Sequence, residues 1–247
     1  MLTDFGMTRP AAAGRYAVYW APPKDSVLAR LGAGWLGRDS EGCAVPQRPP
    51  VAGFGDDRLD ALTAEPRRYA LHATLKPPFA LAEATDPAML RQALAGFAAA
   101  HPRVVLPALR LARLDRFIAL TPSAPCPALD ALAAGCVTAF DRFRAPPLAS
   151  ELARRRSAGL RPAEEAHLAR WGYPYVFDRF RFHVTLTGPL EPAEAERLMA
   201  PLASLFRPAT EVPIAIDDIA LFHEPSAGAQ FGLIERFALQ NAAQTGK

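Results

Sequence analysis

Arg68-Tyr-Ala-Leu-His-Ala-Thr-Leu-Lys-Pro-Pro-Phe79 and Arg179-Phe-Arg-Phe-His-Val-Thr-Leu-Thr-Gly-Pro-Leu190 are one stretch written twice, 111 residues apart. Arg, His, Thr, Leu and the second Pro of the first copy recur at matched places, and the second position is aromatic in both. Threonine is 11 of 247 residues. Two of five histidines followed by Thr two places on is therefore roughly a one-in-fifty accident of composition, before the shared Arg, Leu and Pro are counted. The chain carries an internal duplication, and repeats of this kind govern how the rest is read.

The pattern continues beyond the motif. Asp86-Pro87 reads as a helix N-cap followed by proline at the first helical position, and Pro192 opens the second copy similarly. Leu90, Leu94 and Phe97 are spaced to bury one helical stripe, as are Leu198, Leu202 and Leu205. Strand-like segments follow at Val104–Leu111 and Val212–Leu221, then at Phe117–Leu120 and Phe231–Ile234. Each half thus reads strand–helix–strand–strand. Tyr16–Trp20 is a further strand before the first copy, Leu129–Phe143 a helix between the copies, and about 150–171 a polar helical insertion. The expected fold is α+β and bilobal: two antiparallel sheets facing a central cleft, with helices outside. Residues 1–14 read as a loose N-terminus and 15–247 as one bilobal domain, with repeats at about 68–121 and 179–236.

Strand alternation sets what each motif presents. Leu71, Ala73 and Leu75 should face a core while His72, Thr74 and Lys76 project together; Phe182, Val184 and Leu186 should do the same opposite His183, Thr185 and Thr187. Facing motifs would bring two imidazoles and two hydroxyls into one cleft. That set suits in-line displacement at a phosphodiester: one neutral imidazole removes a proton from the attacking oxygen, and the other, protonated, supplies one to the leaving oxygen. Thr74 and Thr185 would hydrogen-bond the non-bridging phosphoryl oxygens. Lys76 would add positive charge, Thr187 lies on the same face, and Arg38 is placed to meet a second phosphate bidentately. Tyr173 and Tyr175 precede the second motif strand and read equally as a stacking surface for a base or sugar and as a hydrophobic plug under the insertion. His101 and His167 read as surface residues near helix ends, and His223 as a turn residue.

No His-x-His, no His-Glu-x-x-His and no carboxylate inside either motif points to a metal, so neither metal nor cofactor is expected. A formal charge of +3 is too small for an extended nucleic-acid footprint. Arg154-Arg155-Arg156 with Arg161 reads as a solvated helix face. Cys43, Cys126 and Cys136 have no ligand-like spacing and fit free thiols in a reducing cytoplasm. There is neither a long apolar run nor a signal-peptide pattern at the start, so no membrane is expected.

The double His-x-Thr-Leu pattern resembles the two-histidine (2H) phosphoesterase superfamily, over about Tyr16 to Phe237. The resemblance implies a bilobal fold with one motif per lobe, His72 and His183 as the catalytic acid/base pair, and Thr74 and Thr185 as phosphate clamps. The longer forms of the two motifs, with Gly37-Arg38-Asp39 after Trp35 and Trp171-Gly-Tyr-Pro-Tyr175, are similar to a branch encoded in bacterial phosphonate-degradation operons. That branch implies a cyclic phosphodiesterase acting without metal on a small phosphorylated sugar or nucleotide, with a phosphoribosyl cyclic phosphate foremost. A protein that processes or binds RNA 2′,3′-cyclic ends is the alternative.

Overall fold

The computed structural model describes residues 14–157 and 159–240; apart from Gly14, the segment expected to be a loose N-terminus lies outside the described residues. In chain order the elements are β1 (Arg15–Trp20), α1 (Val27–Leu36), α2 (Asp56–Arg67), β2 (Ala73–Phe79), α3 (Pro87–Ala100), β3 (Val104–Leu106), β4 (Leu109–Leu114), β5 (Phe117–Pro122), α4 (Pro127–Phe140), α5 (Ala149–Arg156), α6 (Pro162–Trp171), β6 (Val184–Thr185), α7 (Pro192–Thr210), β7 (Ile214–Ile216), β8 (Asp218–Glu224) and β9 (Gly232–Ala238). Helix starts follow the capping signals. Asp86 accepts the backbone N–H of Met89 at 2.8 Å ahead of Pro87, and Pro192 occupies the first turn of α7. In α7 the buried stripe runs through Leu198 and Leu202 to Phe206, with Leu205 partly buried at its edge.

All sheet pairings are antiparallel, in orders β2-β1-β8-β9 and β4-β5-β6, with β3 paired to β7. The two motif strands lie in different antiparallel sheets, and each sheet draws strands from both halves of the chain. The first motif strand, β2, lies in a sheet completed by β8 and β9 from the second half. The second, β6, is held by β4 and β5 from the first. The halves exchange their C-terminal hairpins, and β3 and β7 pair Val104 with Ile216 and Leu106 with Ile214 where they cross. The single strands expected at 104–111 and 212–221 are each broken in two by this crossing. Pro107, which has no N–H for a ladder, marks the first break. A two-residue β6 could not stand without the borrowed hairpin.

One face of the larger sheet packs on α3 and α4, and the β4-β5 hairpin packs on α7. A continuous apolar core runs through both, with Val18, Trp20, Ala73, Leu75, Val184 and Leu186 in it. The other face of the larger sheet carries a separate small cluster centred on Tyr19, Phe222 and Phe231.

Two helices not read from the sequence, α1 and α2, brace both motifs. Trp35, fully buried in α1, donates its indole N–H to the carbonyl of Leu186 at 2.7 Å. The N–H of Gly188 reaches the carbonyl of Leu62 in α2 at 2.7 Å. At Gly32 in α1 a Cβ would lie 2.2 Å from a methyl of Leu71, the residue before His72. Gly32→Ala is therefore expected to cost about 1–3 kcal/mol by overpacking and to lower activity by displacing His72. Urea unfolding beside a rate assay checks both, and a variant as stable and active as wild type would refute the close approach.

Candidate functional site

Each motif histidine is fixed in the same way. Nδ1 of His72 lies 3.0 Å from the carbonyl oxygen of Ala70, and Nδ1 of His183 lies 2.7 Å from that of Arg181. A carbonyl oxygen only accepts, so both rings carry their proton on Nδ1 and leave Nε2 as a bare acceptor on the opposite edge. The acceptor is two residues upstream in both copies. In the first, Ala70 adopts φ +56°, a left-handed conformation unfavourable for a residue with a Cβ.

The two sheets enclose a cleft of about 540 Å³ whose lining includes Thr74 from one motif and His183 from the other. A charge on His183 disfavours one on His72. Thr185, paired with Ala119, follows His183 on β6. Tyr175 is exposed at the cleft edge and meets Tyr173 edge-on at 5.6 Å between ring centroids. The cleft lining thus includes Thr74, His183 and Tyr175 but neither His72 nor Thr185, which lie two residues before Thr74 and two residues after His183.

Three other expected site residues are placed elsewhere. Lys76 is not on the cleft face. Tyr19 pairs with Thr74 but the next β1 residue, Val18, pairs with Lys76, so Leu75 is an extra residue and the alternation flips after it. Lys76 is buried against α4. It donates to the carbonyl of Val137 at 3.1 Å and sits 3.6 Å from a carboxylate oxygen of Asp141. Burial lowers its pKa to about 8, against the opposing pull of Asp141. Thr187 fails for the same reason at the matched place. The N–H groups of Leu186 and Thr187 both point at the carbonyl of Ile118, and the fully buried Thr187 hydroxyl accepts the N–H of Ile118 at 3.0 Å. Arg38 is not in the cleft lining either. Its guanidinium donates to the carbonyls of Arg67 at 3.0 Å and Arg68 at 2.7 Å, and to that of Phe231. It clamps the turn that ends in Ala70. His223 stacks on Tyr16 at 4.5 Å.

Other residues at the cleft were not read from the sequence. Tyr19, 1% exposed, lies 4.2 Å from the His72 ring, and Tyr69 lies 5.5 Å from it. Phe117 stands 5.7 Å from His183. Arg161, Arg179 and Arg181 line the same cleft. Arg161 is paired with Glu164 and Arg179 with Asp178, whereas Arg181 makes no ion pair among the described residues. The signal for Tyr19 was alternation in Tyr16–Trp20, and for Arg181 its place two residues before His183. No cluster of three metal-ligating side chains occurs among the described residues, and no described helix is long and apolar enough to cross a membrane.

Burial depresses both imidazoles: His72 falls to about 4, opposed by its backbone hydrogen bond and assisted by His183, and His183 is lowered as well. Both are therefore neutral in the empty cleft at neutral pH. A group that resists a proton which the unfolded chain accepts near pH 6.5 gives stability that is present above that pH and lost as pH falls towards about 4. His72→Gln should flatten the pH dependence of the urea midpoint within that window; an unchanged slope would contradict the burial. Arg38→Met should lower stability by roughly 2–3 kcal/mol by orphaning three carbonyls, with phosphate affinity retained in the folded fraction. A selective loss of phosphate affinity with intact stability would restore Arg38 as a ligand.

The match to a family model described as "Protein of unknown function (DUF1045)" covers residues 74–232. Two curated relatives bear the name ribose 1,5-bisphosphate phosphokinase PhnN. The one from Janthinobacterium sp. (strain Marseille) is 40% identical over 226 residues, covering 88% of this chain and 49% of its own. The one from Laribacter hongkongensis (strain HLHK9) is 39% identical over 234 residues, covering 94% and 53%. The chain spans about half the length of these relatives. Among solved structures, E. coli LigT complexed with 3′-AMP aligns over 93% of this chain and 99% of that one at 15% identity and a TM-score of 0.44. Its apo form aligns over the same shares at 17% and 0.45.

Proposed function

The chain belongs to the family described as a protein of unknown function, DUF1045, and from that premise we propose that it is a two-histidine phosphoesterase that opens a cyclic phosphodiester without a metal ion. The observation that carries this reading is the matched pair of imidazoles, each pinned through Nδ1 to the carbonyl two residues upstream with Nε2 free. The shared cleft, with Thr74 and His183 in its lining, supports it. One Nε2 takes a proton from water as its oxygen attacks phosphorus. The bond to the ring's leaving oxygen breaks, and that oxygen takes a proton from the other imidazolium. Thr74 and Thr185 donate to the non-bridging oxygens, where charge builds. An anionic diester between the rings offsets the desolvation that keeps both neutral, so the substrate brings in the proton that the acid needs.

The substrate we infer is 5-phosphoribosyl 1,2-cyclic phosphate. Hydrolysis of its P–O2 bond yields ribose 1,5-bisphosphate, the compound named as substrate of the curated relatives, of which this chain matches about half. Joining two activities in one chain, the first making what the second consumes, accounts for that correspondence and fits a role in phosphonate degradation. Arg181, unpaired at the cleft, takes the place of Lys76 and Arg38 as the cation nearest the reacting diester.

His72→Ala and His183→Ala should each cost ~10²–10⁴-fold in turnover, and the double variant far less than the product of the two; full activity in either single variant ends the assignment. The basic limb of the pH profile should lie at higher pH for kcat than for kcat/KM, because bound phosphate raises the acid's pKa above its depressed value in the empty cleft. Coincident limbs would contradict that coupling. Phosphorus NMR should show the phosphoribosyl cyclic phosphate turned over faster than 2′,3′-cyclic nucleotides, with ribose 1,5-bisphosphate as product. Equal or faster turnover of the nucleotides would favour the RNA-end reading instead.

A further inference from the structure

Behind the catalytic cleft lies a second cavity of about 460 Å³, lined by Arg15, Arg68, Arg144 and Arg154 among apolar walls that include Pro146 and Pro147. Charge is not balanced there. Arg15 and Arg68 share the buried carboxylate of Glu224. Lys76, Arg144 and Arg170 share Asp141, and Glu151, at the cavity wall, is met by Arg155 at 3.4 Å. Arg154 makes no ion pair among the described residues. Four arginines thus line the chamber against one lining carboxylate, Glu151, with Glu224 and Asp141 pairing three of the four from outside the lining. Guanidinium groups held by partial pairing keep donors for a further anion, and their planar forks match phosphate.

The chamber and the catalytic cleft are back to back. Pro77 lines the cleft and Pro78 the chamber; Tyr173 lines the cleft and Gly172 the chamber. The two cavities thus adjoin along β2 at Pro77–Pro78 and along the Gly172–Tyr173 link, and Arg155, from α5, lies over the Tyr173 ring at 4.6 Å. The insertion that reads as a solvated basic helix places Arg154 on the chamber and Arg155 over Tyr173. Tyr19, against His72, feels the charges of Arg15 and Arg68 on its phenol, so the same sheet face links the two cavities.

We propose that this chamber is a second phosphate site, built for a phosphomonoester dianion and separate from the cleft where the diester reacts. The dianion is either the remote phosphate of the substrate itself or a free phosphorylated metabolite. Telling those two apart rests on the phosphoesterase reading, whereas the existence of the site does not.

Inorganic phosphate titrated into the full chain, followed by calorimetry and phosphorus NMR, tests the site without catalysis. The expected result is two phosphates per chain in wild type. Arg154→Gln should remove or weaken one of them about 10–100-fold, as for a lost charge-assisted hydrogen bond, and Arg154→Glu should abolish it. Arg154 is exposed and unpaired, so both variants should fold, and unchanged thermal midpoints check that. The paired Thr74→Val, Thr185→Val variant should lose the other phosphate and keep this one. One phosphate or none in wild type, or binding untouched by Arg154→Glu, overturns the proposal. With the site present, a KM raised by Arg154→Gln for the phosphoribosyl cyclic phosphate but not for a cyclic diester lacking the monoester identifies the substrate's own phosphate. Unchanged KM for both identifies a separate ligand. A chain inactive on every diester that still binds phosphate through Arg154 would sink the function and leave the site standing.

Discussion

One extra residue after each His-x-Thr decides what faces the cleft. A strand that kept strict alternation would line the site with His72, Thr74 and Lys76, and with His183, Thr185 and Thr187. Both motif strands bulge instead at the same place, at Leu75 in the first and where Leu186 and Thr187 share the carbonyl of Ile118 in the second. Each bulge ends the catalytic face after threonine and turns the next polar side chain inwards. There the two copies diverge. Lys76 is spent on Asp141 and the end of α4, and Thr187 on the N–H of Ile118. The duplicated part is thus His-x-Thr plus the bend that follows it, while the residue after the bend is free to serve whichever lobe it enters.

The bulge also explains how the site is braced. A bent strand frees backbone groups, and those near Leu186 and Gly188 are taken up by the Trp35 indole and the carbonyl of Leu62. In the other lobe, Arg38 gathers the carbonyls of Arg67, Arg68 and Phe231, so that the left-handed Ala70 can aim its own carbonyl at His72. Trp35 and Arg38 come from α1 and the turn after it, and Leu62 from α2. The Trp35 and Gly37-Arg38-Asp39 features that mark the branch in sequence are therefore, in this fold, parts of a scaffold that orients the imidazoles.

Much of the architecture was legible because it is periodic. Matched motifs, N-caps before Pro87 and Pro192 and the leucine stripes of α3 and α7 fix element type locally. Hairpin exchange was not legible, because strand patterns record which face is buried and not which partner is paired. The Leu75 bulge was hidden for a related reason: Ala-Thr-Leu-Lys reads equally well in either register, and only the pairing of Val18 with Lys76 discloses the added residue. Helices α1 and α2 were missed because one is small and apolar nearly all round and the other carries Pro66 near its end. The arginines of α5 looked like a solvated face because sequence spacing does not tell open water from a chamber wall.

The aromatic setting of His72 sets a physical condition on the two-histidine reaction we propose, because it keeps the imidazole deprotonated at rest. Tyr19 and Tyr69 crowd the ring, and the desolvation they enforce holds the pKa near 4 in the empty cleft. Two bare Nε2 acceptors cannot act as base and acid, so an unfilled site has no proton to donate. In the proposed reaction a diester anion entering between the rings reverses the balance, since it favours the imidazolium that burial opposes. The proton is then taken up with the substrate, and the ring better able to hold it becomes the acid. On this argument the surrounding arginines have two separable duties. Charge beside the proposed diester is limited, because Arg161 and Arg179 are paired with Glu164 and Asp178 and only Arg181 of the three makes no ion pair among the described residues; more cations there would compete with the imidazolium. Stronger positive charge lies in the adjoining arginine chamber, where the second phosphate we propose would be held without draining the proton from the pair.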